Sequence, residues 1–292
     1  MLRIVPLPCK GRNGLGRDRI GRSSLSVTHD PARPLTLIRL SSDGATASIE
    51  REVAVECPVA IEVDGFGYAV MMMTPERLED FATGFLLTER LVDAPGDILA
   101  IEPFAAESGW IVRVTLAEHL RGRMQDRVRH RTSDTSCGLC GLSGLEQIAR
   151  PVTKRPPRPQ VGVEALFRTL GTIRAHQPLN ARTGAVHAAI ACDGVGMVLA
   201  AAEDVGRHNA LDKLVGTLAR EAALRPDFIL VTSRISYEMV DKALVAGVGL
   251  LVGISAPTSL AIDHARAHGL SLIALARPDA MLVAHDPHGC FA

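Results

Sequence analysis

The chain has 292 residues, of which 47% are hydrophobic and 3% aromatic, and its 32 basic residues balance its 32 acidic ones. This length allows two modest domains, each with a hydrophobic core of its own. The balanced charge and the scarce aromatic side chains argue against a nucleic-acid-binding protein. No apolar run approaches the roughly 20 residues that a membrane helix needs, so we expect neither nucleic acid nor a membrane among the partners.

Residues 1–45 are predicted to be a disordered tail, since "MLRIVPLPCKGRNGLGRDRIGRSSLS" is basic and glycine-rich and lacks the apolar stretch of a signal peptide. A short basic arm that contacts an acidic partner is the alternative. Six cysteines are spread along the chain without the spacing of a disulfide framework. This pattern indicates reduced thiols and therefore a cytoplasmic protein.

Residues 46–148 are predicted to form a small α+β subdomain. Apolar and polar residues alternate in "EREVAVECPVAIEVDG", which predicts a strand, and the turn Asp64–Gly67 leads into a second strand, "YAVMMM", as in a hairpin. "TPERLEDFATGFLLTERLV" predicts a helix with Thr74 as its N-cap and Pro75 in its first position. "WIVRVTLA" predicts another strand, after which the subdomain ends in a loop that contains two cysteines.

Residues 149–162 are rich in proline and basic residues and predict a linker or an extended crossing, whereas residues 163–292 predict an α/β domain. "AVHAAIACDGVGMVLAAAED" predicts two strands around a turn at Asp193-Gly194, and "GRHNALDKLVGTLAREA" predicts an amphipathic helix. Three further strands, "FILVTS", "LLVGIS" and "LSLIALAR", alternate with two helices. This alternation predicts a largely parallel sheet that is covered on both faces.

Polar residues cluster where these strands end and helices begin, which is where open α/β sheets bind ligands. The segments 232–234 and 255–259 suit phosphate binding, although their hydroxyl groups equally suit ordinary helix caps. The stretch "EDVGRHNALDKL" places charged and imidazole groups at a third such junction, where Glu203, Asp204, Arg207 and His208 either line a site or are ordinary surface groups at the start of the helix. His187 lies in a short apolar strand and is either a core residue or a ligand or base.

Two cysteines, Cys137 and Cys140, lie three residues apart among glycines in "TSDTSCGLCGLSG", with basic residues just upstream. A structural zinc site needs four ligands, and the other cysteines are solitary and distant in sequence. Glycines favour a mobile loop over the rigid turn of a dithiol redox site, and positive charge favours the reactive thiolate. We favour a nucleophilic thiol that carries cargo such as a persulfide, with a zinc site, a redox pair and an incidental pair left open.

Six stretches, some of them discussed above, follow one another along the chain in this order: "TPERLEDFATGFLLTE", "TSCGLCG", "GAVHAA", "EDVGRHNALDKLVG", "SRISYEMVDKAL" and "SAPTSLAI". On these stretches the chain resembles the formate dehydrogenase accessory sulfurtransferases, the FdhD family, over about residues 46–286. The resemblance implies a three-layer αβα fold similar to that of the cytidine deaminases, with a smaller α+β N-terminal subdomain. It also implies a homodimer that binds a GDP-like guanine nucleotide.

The resemblance implies a function as well. Sulfur would come from a cysteine desulfurase, would be held as a persulfide on Cys137 with Cys140 as the supporting thiol, and would pass to a molybdenum or tungsten cofactor. That cofactor is bis-molybdopterin guanine dinucleotide, the cargo for the catalytic subunit of formate dehydrogenase. The helix starts at residues 233–237 and 255–259 would hold its guanylyl phosphates. A non-catalytic chaperone that hands over the cofactor and a thiol–disulfide oxidoreductase are the alternatives.

Deamination is not expected, because His187-Ala188-Ala189 lacks the glutamate that zinc deaminases use and the cysteine pair precedes the histidine. No metal ligands are assigned. In the family, the C-terminal segment that meets the cofactor usually carries a second arginine soon after the one matching Arg277, whereas this chain has Asp279 and Ala280 there. The residues expected to contact the cofactor are His187, Arg207, His208, Ser233, Arg234, Ser255, Thr258, Ser259, Leu275, Ala276, Arg277, Pro278, Asp279 and Ala280.

Overall fold

The structure, a computed structural model, describes residues 30–120, 122 and 155–291. Cys137 and Cys140 lie outside the described residues, as do most of the predicted tail and residues 149–154 of the predicted linker. Within the described ranges the chain forms an α/β fold with three β-sheets, so the α/β part of the predicted fold class is confirmed. None of the described helices is long and apolar enough to cross a membrane.

An antiparallel ribbon of two strands comes first, formed by β1 (Ala32–Leu40) and β2 (Thr46–Ala54). β1 lies inside the range 1–45, so the prediction of a disordered tail is wrong for this part of it. The physical reason is that every residue of β1 faces a residue of β2 in the ladder, and that Ala32 at its base packs against Leu179 and Val186.

A four-stranded sheet follows, in the order β4-β3-β6-β5. Its strands are β3 (Cys57–Val63), β4 (Phe66–Met73), β5 (Ile98–Ala106) and β6 (Gly109–Leu116). β3 and β4 form the predicted hairpin, with positive φ at Asp64 and Gly65 as a tight two-residue turn requires. The single long strand predicted before this turn is in fact divided into β2 and β3.

Helix α1 (Leu78–Thr88) covers one face of this sheet with Phe81 and Leu86. The helix begins three residues later than predicted, and its N-cap is Arg77 rather than Thr74. The reason is that the hydroxyl and backbone N–H of Thr74 both donate to Asp204 of the larger sheet instead of closing a first helical turn.

The larger sheet has six strands in the described residues, in the order β12-β11-β10-β9-β7-β8. Only the pairs β9–β10 and β10–β11 are parallel, so the prediction of a largely parallel sheet is wrong. β7 and β8 form a hairpin around the predicted Asp193-Gly194 turn, and tight turns join antiparallel strands only. The strands are β7 (His187–Cys192), β8 (Val198–Asp204), β9 (Phe228–Val231), β10 (Leu250–Gly253), β11 (Ser271–Ala274) and β12 (Leu282–His285).

Helices pack on both faces of the six-stranded sheet. α4 (Arg207–Arg220), α5 (Tyr237–Ala246) and α6 (Ser259–His268), three helices that the sequence predicts, cover one face. α2 (Val163–Thr172) covers the other, and the short α3 (Pro178–Thr183) leads into β7. Likeness of this arrangement to the cytidine deaminases stays a prediction.

Two glycines let α1 and α4 cross at very short range. A Cβ atom at Gly84 would overlap the backbone oxygen of Asp212, and one at Gly216 would overlap the backbone oxygen of Asp80. Only glycine permits this approach, which brings the small sheet and its helix directly onto the helical layer of the larger sheet. The crossing fixes the end of β4 next to the end of β8.

Candidate functional site

One edge of the six-stranded sheet collects the predicted cofactor residues. The parallel strands β9, β10 and β11 end at this edge, and since β7 runs antiparallel to β9, its first residue, His187, lies there too. β8 ends at the same edge, directly before α4 with Arg207 and His208. We call the segments 205–208, 232–236, 254–258 and 275–280, together with His187, the candidate edge.

Three helices begin at the candidate edge: α4 after Gly206, α5 after Ser236 and α6 after Thr258. The loops before α5 and α6 lie side by side, because the Ile235 N–H donates to Ala256 O at 3.2 Å and the Thr258 N–H donates to Ile235 O at 3.0 Å. The unpaired N–H groups and the positive dipole ends of three helices therefore lie at one edge, an arrangement that favours anions.

Three arginines add positive charge there. Arg207 is the first residue of α4, and Arg234 and Arg277 are exposed in the loops after β9 and β11. The Arg277 guanidinium donates to Ile254 O, and its backbone N–H donates to Ala280 O at 2.8 Å. This turn holds the arginine against the neighbouring loop, although no second arginine follows it.

Two buried polar atoms at the candidate edge, Arg207 Nε and Ser236 Oγ, have neither a hydrogen-bond partner nor an ion-pair partner among the described residues. Nearly all buried polar atoms in folded proteins are hydrogen-bonded, so atoms without a partner indicate a ligand or solvent position. Ser236 is the N-cap of α5 and lies within residues 233–237, one of the two helix starts expected to hold the guanylyl phosphates.

The two histidines of the edge differ in environment. Burial, and then the charge of Arg207, lower the pKa of His187, so its imidazole is neutral at pH 7. His208 Nε2 lies 2.8 Å from Glu238 Oε2, and the hydrogen bond from His208 lowers the pKa of Glu238. Sequence reasoning missed Glu238, whose only signal is its place in the first turn of α5.

Some of the hydroxyl groups at the candidate edge already make hydrogen bonds within the protein. Thr258 Oγ1 accepts a hydrogen bond from the Ala261 N–H at 3.2 Å and caps α6, as the alternative interpretation predicts. Ser233 is buried and donates to Arg234 O at 3.1 Å. Ser255 is half-buried and Ser259 is exposed.

Asp204 does not line the candidate edge, contrary to the prediction. The side chains of Asp204 and Lys213 are fully buried and form an ion pair at 2.6 Å. Asp204 also accepts hydrogen bonds from the Thr74 hydroxyl at 2.7 Å and from the Gly206 N–H at 2.8 Å. It therefore anchors the start of α4 to the chain that leaves β4, and it acts as a buried counter-ion.

A second buried ion pair holds the other end of α1. Both carboxylate oxygens of Asp212 lie 2.8 Å from Lys242 Nζ, and the Thr88 hydroxyl donates to Asp212 at 2.7 Å. Arg90, just beyond α1, makes two hydrogen bonds of 2.8 Å to Asp241 of α5. Many of the charged residues in the stretches "EDVGRHNALDKL" and "SYEMVDKAL" therefore form ion pairs and hydrogen bonds that connect the small sheet and α1 to the larger sheet.

Three described cysteines, Cys57, Cys192 and Cys290, have free thiols. Burial raises the pKa of the Cys192 thiol to about 12, so it stays protonated and unreactive at neutral pH. Across the described residues, no three histidine, cysteine or carboxylate side chains come together in a way that would hold a metal ion.

Comparison with known proteins gives consistent results. The sequence model of the FdhD/NarQ family matches residues 54–290. A sulfur carrier protein FdhD from Xanthomonas campestris pv. campestris is 43% identical over 263 residues, covering 88% of this chain and 93% of that protein. Its counterpart from Bordetella petrii is 40% identical over 270 residues, covering 92% and 97%.

The fold has a close experimental counterpart. A crystal structure of a protein described as a formate dehydrogenase accessory protein, from Desulfotalea psychrophila, superposes with a TM-score of 0.69. It covers 89% of this chain and 99% of its own at 22% sequence identity. At this identity the likeness establishes the fold alone.

Proposed function

The chain belongs to the FdhD/NarQ family, and on that premise we propose that it is a sulfur carrier that serves the maturation of formate dehydrogenase. The observation that carries the proposal is the candidate edge, where three helix N-termini, three arginines and two unpartnered polar atoms favour an anionic cargo. Relatives at 40% identity or more are named sulfur carriers.

The proposed carrier atom is the Cys137 sulfur. Its thiolate attacks the terminal sulfur of a persulfide on a cysteine desulfurase, the donor's S–S bond breaks, and the donor cysteine leaves as a thiolate. The extra sulfur keeps its oxidation state in this exchange. The result is a persulfide on Cys137.

Release of the sulfur as sulfide requires two electrons, and Cys140 supplies them in the proposal. The Cys140 thiolate attacks Cys137 Sγ, hydrosulfide leaves toward the metal of the cofactor, and a Cys137–Cys140 disulfide forms. A cellular dithiol then reduces this disulfide. Cys140 is thereby the resolving thiol, and the protein is a sulfurtransferase with a persulfide intermediate.

The proposed cargo is bis-molybdopterin guanine dinucleotide, whose phosphates carry the negative charge that the candidate edge suits. Arg207, Arg234 and Arg277 would pair with those phosphates, and a guanine nucleotide alone would occupy part of the same edge. The neutral imidazole of His187 offers a hydrogen-bond donor and an acceptor rather than a charge.

Chain length permits the thiol to reach both donor and cargo. Cys137 is 17 residues after Leu120 and 18 residues before Arg155. A residue spans at most about 3.6 Å, so each side allows a reach of up to about 60 Å. We further propose, on the family resemblance, that the protein works in the cytoplasm as a homodimer.

Sulfur loading tests the proposal. The purified protein is incubated with a cysteine desulfurase and cysteine, and its intact mass is measured without reductant. Wild-type protein and Cys140→Ala should each gain one sulfur atom, whereas Cys137→Ala should gain none. Cys290→Ala, which removes a half-buried free thiol, is the matched control and should load like wild type. Loading of Cys137→Ala to the wild-type extent would refute the assignment.

A further inference from the structure

The ribbon of β1 and β2, which we call the arm, exposes three large apolar side chains. Leu37 is 40% exposed on one face of the arm, whereas Ile38 and Leu40 are 77% and 74% exposed on the other face. Strands of nine residues extend about 30 Å, and most side chains of the arm are exposed. Clustered exposed apolar side chains mark interaction surfaces.

The arm is rooted beside the candidate edge. Ala32 at its base packs with Leu179 and Val186, and Val186 directly precedes His187. Arg51 of β2 donates to Thr183 O at the end of α3, just before β7. A protein bound to the arm would therefore lie next to the place where cargo is proposed to be held.

The two faces of the arm differ in charge. Directly paired residues share a face, and every second residue along a strand does so too. One face, which we call the basic face, carries no carboxylate, whereas the opposite face carries Glu50 and Glu52. The basic face consists of Arg33, Leu35, Leu37, Arg39, Ala47, Ile49, Arg51 and Val53.

Two of the three arginines on the basic face are uncommitted. Glu52 on the opposite face pairs with Arg182 at 2.6 Å, and Arg51 is bound to Thr183 O. Within the part of the chain that the structure describes, Arg33 and Arg39 are exposed and make no ion pair. The basic face is thus an aliphatic strip, with Leu37 exposed and its other large aliphatic side chains half-buried, flanked by two free guanidinium groups.

Charge and area both favour a foreign partner over a second copy of the chain. Two copies of the basic face would repel each other in a symmetric dimer, since the same patch would meet itself. The face measures about 30 Å by 10 Å, or about 300 Å², well below the roughly 800 Å² per partner of a stable interface. A small charged patch suits a transient encounter with an acidic surface.

We propose that the basic face of the arm docks on an acidic, partly apolar surface of the polypeptide that receives the sulfurated cofactor. This inference rests on the proposed function, because the receiving polypeptide is the formate dehydrogenase subunit without its cofactor. The arm guides that subunit to the candidate edge, so that cargo passes between adjacent surfaces.

The test compares two double variants of equal charge change. Arg33→Ala/Arg39→Ala lowers the charge of the basic face by two, and Thr36→Glu/Ser48→Glu lowers the charge of the opposite face by two. Binding of each full-length protein to the purified cofactor-free formate dehydrogenase subunit is measured at low and at physiological salt. The first variant should bind about tenfold more weakly, the second should bind within about twofold of wild type, and wild-type affinity should fall with salt.

Further outcomes separate this inference from the proposed function. Both variants should load sulfur from the desulfurase like wild type; if wild type itself fails to load, the proposed function fails with this inference. Equal binding by both double variants would overturn the docking surface alone. Light scattering that shows a dimer for wild type and a monomer for Arg33→Ala/Arg39→Ala would also overturn the docking surface. A second copy of the chain would then be the occupant of the basic face. The Leu37→Cys variant adds a thiol to the basic face. If a thiol reagent labels this cysteine faster after residues 1–29 are removed, the docking surface is also overturned, because residues 1–29 would cover the face in the full-length chain.

Discussion

At the scale of single residues, Lys213 is the sharpest test of how the two sheets are joined. Its side chain is fully buried and its ammonium group lies 2.6 Å from Asp204. Burial lowers the pKa of Lys213, and the opposing charge of Asp204 favours the ionised form. Lys213→Met leaves a buried carboxylate unpaired, so we expect the free energy of unfolding to fall by about 3–5 kcal/mol in urea titrations.

An exposed ion pair supplies the control. Arg266 and Asp263 approach within 3.8 Å, and both side chains are more than half exposed. Arg266→Met should change the free energy of unfolding by less than about 0.5 kcal/mol. The double variant Asp204→Asn/Lys213→Met should recover part of the loss. Equal, small effects of Lys213→Met and Arg266→Met would contradict the buried ion pair.

Asp241 gives a prediction about pH. Burial alone would raise its pKa, but hydrogen bonds from His264 and Arg90 outweigh burial and lower the pKa to about 2. A carboxylate with a lowered pKa stabilises the fold above its unfolded-state pKa of about 3.9. That stability, on the order of 2 kcal/mol, is lost as the pH falls from about 4 toward 2.

The measurement for Asp241 is urea unfolding at a series of pH values. Asp241→Asn should be less stable than wild type at pH 7 and should lose less stability between pH 4 and pH 2. Asp263→Asn, which changes an exposed carboxylate, should follow the wild-type profile. Parallel profiles for wild type and Asp241→Asn would show that this carboxylate is not the group that titrates.

Residue-level sequence reasoning found the candidate edge but not the partners within it. His187, Arg207 and the loop serines lie where strand ends and helix starts predict them. Asp204 was misassigned because a carboxylate in a charged stretch has the same sequence signature whether it faces a ligand or a buried cation such as Lys213. Thr74, their third partner, is 130 residues distant from Asp204, and no local pattern reveals such a contact.

At the scale of secondary-structure elements, the crossing of α1 and α4 depends on its two glycines. Gly216→Ala would place a methyl group against the backbone oxygen of Asp80, which cannot move without shifting α1. We expect a loss of at least about 3 kcal/mol of stability, or a protein that does not fold, because overpacking against backbone has no flexible side chain to relieve it.

The control is Gly171, on α2, where a Cβ atom would meet no atom within 4 Å. Gly171→Ala should increase the free energy of unfolding by about 0.5–1 kcal/mol, because alanine favours the helix. The thermal midpoint should therefore rise. Differential scanning calorimetry compares the two variants. Similar midpoints for Gly216→Ala and wild type would contradict the close crossing.

Elements with strong local patterns were predictable, and those that depend on distant partners were not. The helices α4, α5 and α6 and the strands between them follow from apolar periodicity. The antiparallel pairing of β7 with β9 was missed, because the sequence shows which segments are strands but not which neighbours they choose. β1 was missed because its partner β2, rather than burial, stabilises most of its length.

At the scale of the whole molecule, the two sheets should unfold together, because α1 is held at both ends by buried ion pairs of the larger unit. The chain's single tryptophan, Trp110, lies in β6 of the small sheet and is buried. Its fluorescence follows the small sheet, whereas far-ultraviolet circular dichroism follows the whole chain. Both signals should change at the same denaturant concentration, as in a two-state transition; an earlier fluorescence change would show independent unfolding of the small sheet.

The path of the sulfur atom tests the central claim most directly. The protein is loaded with radioactive sulfur by a desulfurase, freed of donor and cysteine, and mixed with cofactor and cofactor-free formate dehydrogenase. Label should leave wild-type protein, appear in the cofactor fraction and accompany enzyme activity, whereas Cys137→Ala should carry no label and yield no activity. Active enzyme from Cys137→Ala/Cys140→Ala, with no label in the cofactor, would contradict the account and indicate a chaperone that binds cofactor without carrying sulfur.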